Sequence, residues 1–82
     1  MPETIEKDDY ELDVMFGKWL RDVRVAAGLS LEDAAKTSGL PETRLKSLEV
    51  GYAEKGITQR ESETLSRAYK VPLKEILQRA SK

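Results

Sequence analysis

Three sets of side chains in this chain invite a chemical reading: the hydroxyls Ser30 and Ser47, the adjacent carboxylates Glu32 and Asp33, and the cations of residues 16–82. A nucleophilic serine of the conventional triad needs an imidazole partner, and the chain contains no histidine. It contains no cysteine either, which removes thiolate and disulfide chemistry and leaves zinc only an all-carboxylate site, a poor structural one. Glu32 and Asp33 follow Ser30 at a helix start, where capping and the helix dipole account for them. No glycine-rich phosphate loop follows a strand pattern. An enzyme has no foundation here, and neither cofactor nor metal is expected.

The cations remain. The net charge of the 82-residue chain is −1. Residues 1–15 hold six acids against one base, whereas residues 16–82 hold 13 bases against 9 acids. A mildly basic body behind an acidic leader is compatible with nucleic acid, but it lacks the strong surplus of most small DNA-binding domains. The length suits one domain with a core of about a dozen side chains. No apolar run approaches the ~20 residues of a membrane span, and the acidic N-terminus is unlike a secretory signal. A cytoplasmic protein with no membrane partner is expected.

The elements that position these charges are helical. Residues 1–9 read as a flexible acidic leader and 10–82 as the domain. Leu12, Phe16, Leu20, Val23 and Ala27 recur at three- and four-residue steps, which predicts a first helix from about Leu12 to Ala27, closed by Gly28. Ser30 with Asp33 three residues on predicts the start of a second helix, Leu31 to Ser38, with Ala34 and Ala35 inward and Gly39 ending it. Pro41 fits the first position of a third helix, with Leu45 and Leu48 inward and Gly51 closing it. Tyr52 to Ile57 reads as a loop. Thr58 with Glu61 is a capping-box pattern that opens a fourth helix to about Tyr69, burying Leu65, Ala68 and Tyr69. Val71-Pro72 breaks the chain before a short fifth helix carrying Leu73, Ile76 and Leu77. No strand candidate stands out.

With these residues in this order, positions 16 to about 78 resemble the lambda Cro/C1-type, or XRE-like, helix-turn-helix domain. The resemblance is carried by Phe16, Leu20 to Arg24, Gly28-Leu29-Ser30, Ala35, Gly39-Leu40, Leu45, Leu48-Glu49 and Gly51. Leu65 to Val71 and Leu73 to Leu77 match the closing helices. It implies an all-α, compact five-helix, lambda-repressor-like DNA-binding domain with the helix-turn-helix at helices 2 and 3. It also implies a structural ion pair between Arg24 and Glu49, whose two parallel hydrogen bonds would pin helix 3 to the scaffold. Two solvated charges are the alternative.

The family reads DNA with the start of helix 2 and the exposed face of helix 3, in the docking geometry of its phage members. The DNA-binding set implied here is Glu42, Thr43, Arg44, Lys46 and Ser47, with Lys55 and Arg60 reaching phosphates after helix 3. The chain departs from the family at several of these places. Leu31 stands where relatives usually carry glutamine. Glu42 can accept a hydrogen bond from cytosine N4 but repels the backbone. The segment from Gly51 to Val71 is longer than is common in the family and lacks its frequent proline. Its Gly56 could expose the N–H of Ile57, and the first N–H groups of helix 4 could face an anion.

Two functions compete on these residues. One is a small transcriptional regulator, repressor-like, binding double-stranded operator DNA as a homodimer through Leu73, Ile76 and Leu77; a core role is the alternative for those three. The other is an antiactivator, or part of a mobile-element switch, that keeps the fold and masks a transcriptional activator through Trp19, Leu31 and Glu42. Trp19 can instead pack under the segment around Ile5 and Tyr10, and Tyr52 can reach a phosphate or cover the core edge.

Overall fold

Among the described residues, five helices and two short strands follow one another: β1 (Tyr10–Leu12), α1 (Val14–Ala26), α2 (Leu31–Ser38), α3 (Glu42–Val50), β2 (Tyr52–Glu54), α4 (Gln59–Tyr69) and α5 (Leu73–Ala80). The computed structural model describes residues 10–12, 14–54 and 56–80, so the leader and Ile5 lie outside the described residues. The fold is all-α apart from the short β1–β2 pair.

Local chemistry explains the helix ends. Ser30 is extended and its Oγ accepts a hydrogen bond from the Asp33 N–H at 3.0 Å, starting α2. Gly39 then takes the left-handed conformation, φ 79°, that ends α2 and turns the chain toward α3. Pro41 has φ −63° and ψ 145°, which makes it the N-cap of α3 and not, as the sequence suggested, its first helical residue. Thr58 and Glu61 form the full reciprocal capping box of α4.

The core draws on every helix. Phe16 and Leu20 come from α1, Ala34 from α2, Leu45 and Leu48 from α3, Leu65, Ala68 and Tyr69 from α4, and Ile76 from α5. Leu20, Leu45, Leu48, Leu65 and Ile76 are fully buried, each contributing about 1.5–3 kcal/mol relative to exposure. Ile76 therefore belongs to the core, and the expectation that it forms a dimer surface is corrected. Ala27 is also corrected: it lies past the end of α1 and is exposed.

The strands were not anticipated. Tyr10, Glu11 and Leu12 pair antiparallel with Glu54, Ala53 and Tyr52 respectively. Leu12 thus sits in β1 and not in the first helix, and part of the long segment after α3 is β2. Three residues offer too few alternations for a period-two signal to emerge from sequence. Ala53 of β2 reaches the core, at 4% exposure.

Gly17 is the residue that lets α1 cross α3. A Cβ there would collide with the Glu49 carbonyl oxygen and lie 2.6 Å from that of Leu48. These are backbone atoms and cannot rotate away. Gly17→Ala is expected to lower stability by about 2–3 kcal/mol in chemical denaturation despite the better helix propensity of alanine. An unchanged or raised midpoint would contradict the close crossing.

Candidate nucleic-acid interface

The second and third helices of the fold form a helix-turn-helix. Between them lies only Gly39-Leu40-Pro41, fastened by the Gly39 N–H to the Ala35 carbonyl at 2.8 Å and the Leu40 N–H to Ser38 Oγ at 3.3 Å. Leu40 packs against the core and fixes the turn from within.

α3 is held by two guanidinium–carboxylate pairs. Toward its C-terminal end, Arg24 Nε donates to Glu49 Oε2 at 2.6 Å and Nη2 to Glu49 Oε1 at 3.1 Å. Arg24 Nη1 also donates to the Leu29 carbonyl at 2.9 Å, so one side chain joins α1, the α1–α2 turn and α3. Both partners are nearly covered, with side chains 12% and 8% exposed. The hydrogen bond to Glu49 is the largest influence holding the Arg24 guanidinium above its ordinary pKa, against its burial. Nearby Tyr69 is pushed up to about 12, first by burial and then by the Glu49 carboxylate.

The second pair is formed by Arg44. Its Nε donates to Glu61 Oε2 at 2.8 Å and its Nη2 to Glu61 Oε1 at 3.0 Å. Nη2 also donates to the Gly56 carbonyl at 2.7 Å. Glu61 Oε1 accepts the Thr58 N–H at 2.9 Å as well, so the carboxylate that caps α4 also anchors α3. Burial raises the Glu61 pKa, but the hydrogen bonds from Arg44 and Thr58 outweigh it and hold the carboxyl below its ordinary value. Arg44 therefore braces the segment between α3 and α4, and that is the place the structure gives a residue the sequence had put among the DNA contacts.

What α3 presents outward is narrower than the sequence suggested. Glu42, Thr43 and Lys46 are exposed, whereas Ser47 is half-buried and its carbonyl accepts the Gly51 N–H. Arg60, in the first turn of α4, is exposed. Lys55 lies outside the described residues. The N–H of Thr58 and that of Glu61 are both taken up within the capping box, which leaves less of the α4 start for an anion than its sequence implied.

The side chains proposed for a protein partner are not displayed together. Leu31, at the start of the second helix, is half-buried against the core. Trp19 is also half-buried: its ring lies 6.1 Å from that of Phe16, and the Arg79 guanidinium carbon sits 4.7 Å above it. α5 is thus a cover for Trp19 that the sequence did not disclose. Among the described residues, no group of His, Cys, Asp and Glu is arranged to hold a metal ion. No described helix is long and apolar enough to cross a membrane.

This arrangement defines a DNA-binding helix-turn-helix domain of the Cro/C1 type. The helix-turn-helix family model matches residues 20–76, and the chain belongs to that family. It is similar to the restriction-modification controller protein C.AhdI from Aeromonas hydrophila, whose crystal structure matches with a TM-score of 0.70 at 32% identity. The match covers 77% of this chain and 92% of that one. No curated protein sequence matches this chain.

The acid behaviour of Glu61 tests the brace. A carboxyl whose pKa is lowered on folding stabilises the protein above its unfolded pKa, and that stability is lost as pH falls through the folded value. Glu61→Gln is expected to cost about 2 kcal/mol at neutral pH and to flatten the fall in urea midpoint between about pH 5 and 3. Wild-type and variant curves that remain parallel through that range would rule out the pairing of Arg44 with Glu61.

Proposed function

We propose that this protein is an operator-binding transcriptional regulator that works in the cytoplasm as a two-fold dimer. The observation that carries the reading is the presentation of Glu42, Thr43 and Lys46 on the exposed face of a recognition helix clamped near both ends. Such a helix enters the major groove with little reorganisation, and its N-terminal residues meet base edges. The likeness to a restriction-modification controller protein supports a regulatory role for the contact.

Dimerisation follows from energetics. One helix-turn-helix buries limited area on DNA, so two half-sites are needed for useful affinity. Leu73 and Leu77, half-buried on α5, are available to a dimer contact in a way that Ile76 is not. The antiactivator alternative is less favoured, because Leu31 and Trp19 pack against their own domain and leave Glu42 as the exposed member of that set.

The charge on α3 shapes the binding. Arg44 and Glu49 are paired within the domain, so Glu42 and Lys46 are the exposed charges of this helix and offset one another. Phosphate attraction falls to flanking cations such as Arg60. Electrophoretic shift with the DNA upstream of the protein's own gene, against unrelated competitor, is expected to give a specific complex that weakens as salt rises. Arg60→Ala is expected to weaken all duplexes alike and to reduce the slope of log K against log salt by about one. Folded protein that forms no competitor-resistant complex contradicts the proposal.

A further inference from the structure

We propose that Glu42 reads a cytosine, through its exocyclic N4 amino group, at one position of each operator half-site. The inference rests on the operator-binding reading above and extends it to base identity.

Glu42 is the first residue of α3 and is exposed. It has no hydrogen bond or ion pair with any described residue, including Lys46 one turn further on. Its carboxylate is not part of the cap either, since Pro41 supplies the N-cap without a side-chain bond. An ionised carboxylate only accepts hydrogen bonds. In the major groove, guanine offers it the acceptors N7 and O6, and thymine offers O4 and a methyl group. Adenine offers N6 as a donor but sets the N7 acceptor beside it. Cytosine alone presents a donor with no acceptor on the same base edge. A carboxylate at the groove floor therefore discriminates by repulsion from three bases and attraction to the fourth.

The neighbouring residues favour the same outcome. The guanidinium on α3 that would otherwise favour guanine is Arg44, and it is engaged by Glu61 and the Gly56 carbonyl. Lys46, exposed one turn from Glu42, supplies the positive charge that offsets the repulsion between Glu42 and nearby phosphates. Thr43 brings a methyl and a hydroxyl to the adjoining base, contacts that tolerate several sequences.

The test is in vitro selection from a randomised duplex pool with the full chain, run in parallel for wild type, Glu42→Ala and Glu42→Gln. Wild type is expected to enrich a half-site with cytosine at one position. Glu42→Ala should leave that position degenerate within an otherwise similar site. Glu42→Gln should move it toward adenine, because an amide can both donate to N7 and accept from N6. In the selected site, N4-methylcytosine at that position should weaken wild-type binding by about tenfold, while 5-methylcytosine, which keeps the N4 hydrogen, should not. The same consensus for wild type and Glu42→Ala, or a purine at the position in wild type, overturns the assignment and leaves operator binding intact. Failure of folded wild type to enrich any sequence overturns the operator-binding reading itself.

Discussion

The placement of α3 depends on two arginine–glutamate pairs. Each joins a guanidinium to a carboxylate by two hydrogen bonds, one pair tying α3 back to α1 and the other tying it forward to α4. Both pairs are largely covered, so removal of one partner leaves a charge with little water to compensate it. The cost of such a loss, about 2 kcal/mol, is a large share of the roughly 5–15 kcal/mol that holds a domain folded. Gly17 permits the first pair by allowing the helix backbones to meet, and the Leu29 carbonyl bound to Arg24 carries the constraint into the turn before α2. The rest of the helix-turn-helix geometry follows from this frame.

The same pairs decide what the recognition helix can say to DNA. Internal pairing withdraws Arg44 and Glu49 from the outer face and leaves one acid and one base there. A helix without net charge contributes little to non-specific attraction, so its worth lies in base contacts and shape. This suits a regulator better than a general DNA-coating protein. The acidic character of the first fifteen residues has the same sense, since it lowers the pull of the whole chain toward phosphate.

Much of this fold was legible in the residues because its signals are local. Ser30, Thr58 with Glu61, and Gly39 mark helix ends by hydrogen bonds or backbone angles within four residues. Leu45, Leu48, Leu65 and Tyr69 follow helical spacing into the core. What escaped sequence reading is long-range. Arg44 meets a carboxylate 17 residues away, and nothing at position 44 distinguishes a brace from a DNA contact. The Arg24–Glu49 pair, 25 residues apart, was named only because the family resemblance supplied it. Ile76, Leu31 and Trp19 turned on which helix lies opposite, which periodicity leaves open. Gly17 gave no sign of its role, since a helix-interior glycine has meaning only once the crossing helix is known.

The exposed start of α3 is the surface proposed to meet DNA. Titration of the isotopically labelled protein with a duplex at low salt, followed by amide chemical shifts, tests it most directly. The largest changes are expected on Glu42 to Ser47 and around Arg60, with the outer face of α1 nearly unaffected. Changes concentrated on α5 or the outer face of α1, with the start of α3 silent, would contradict that assignment.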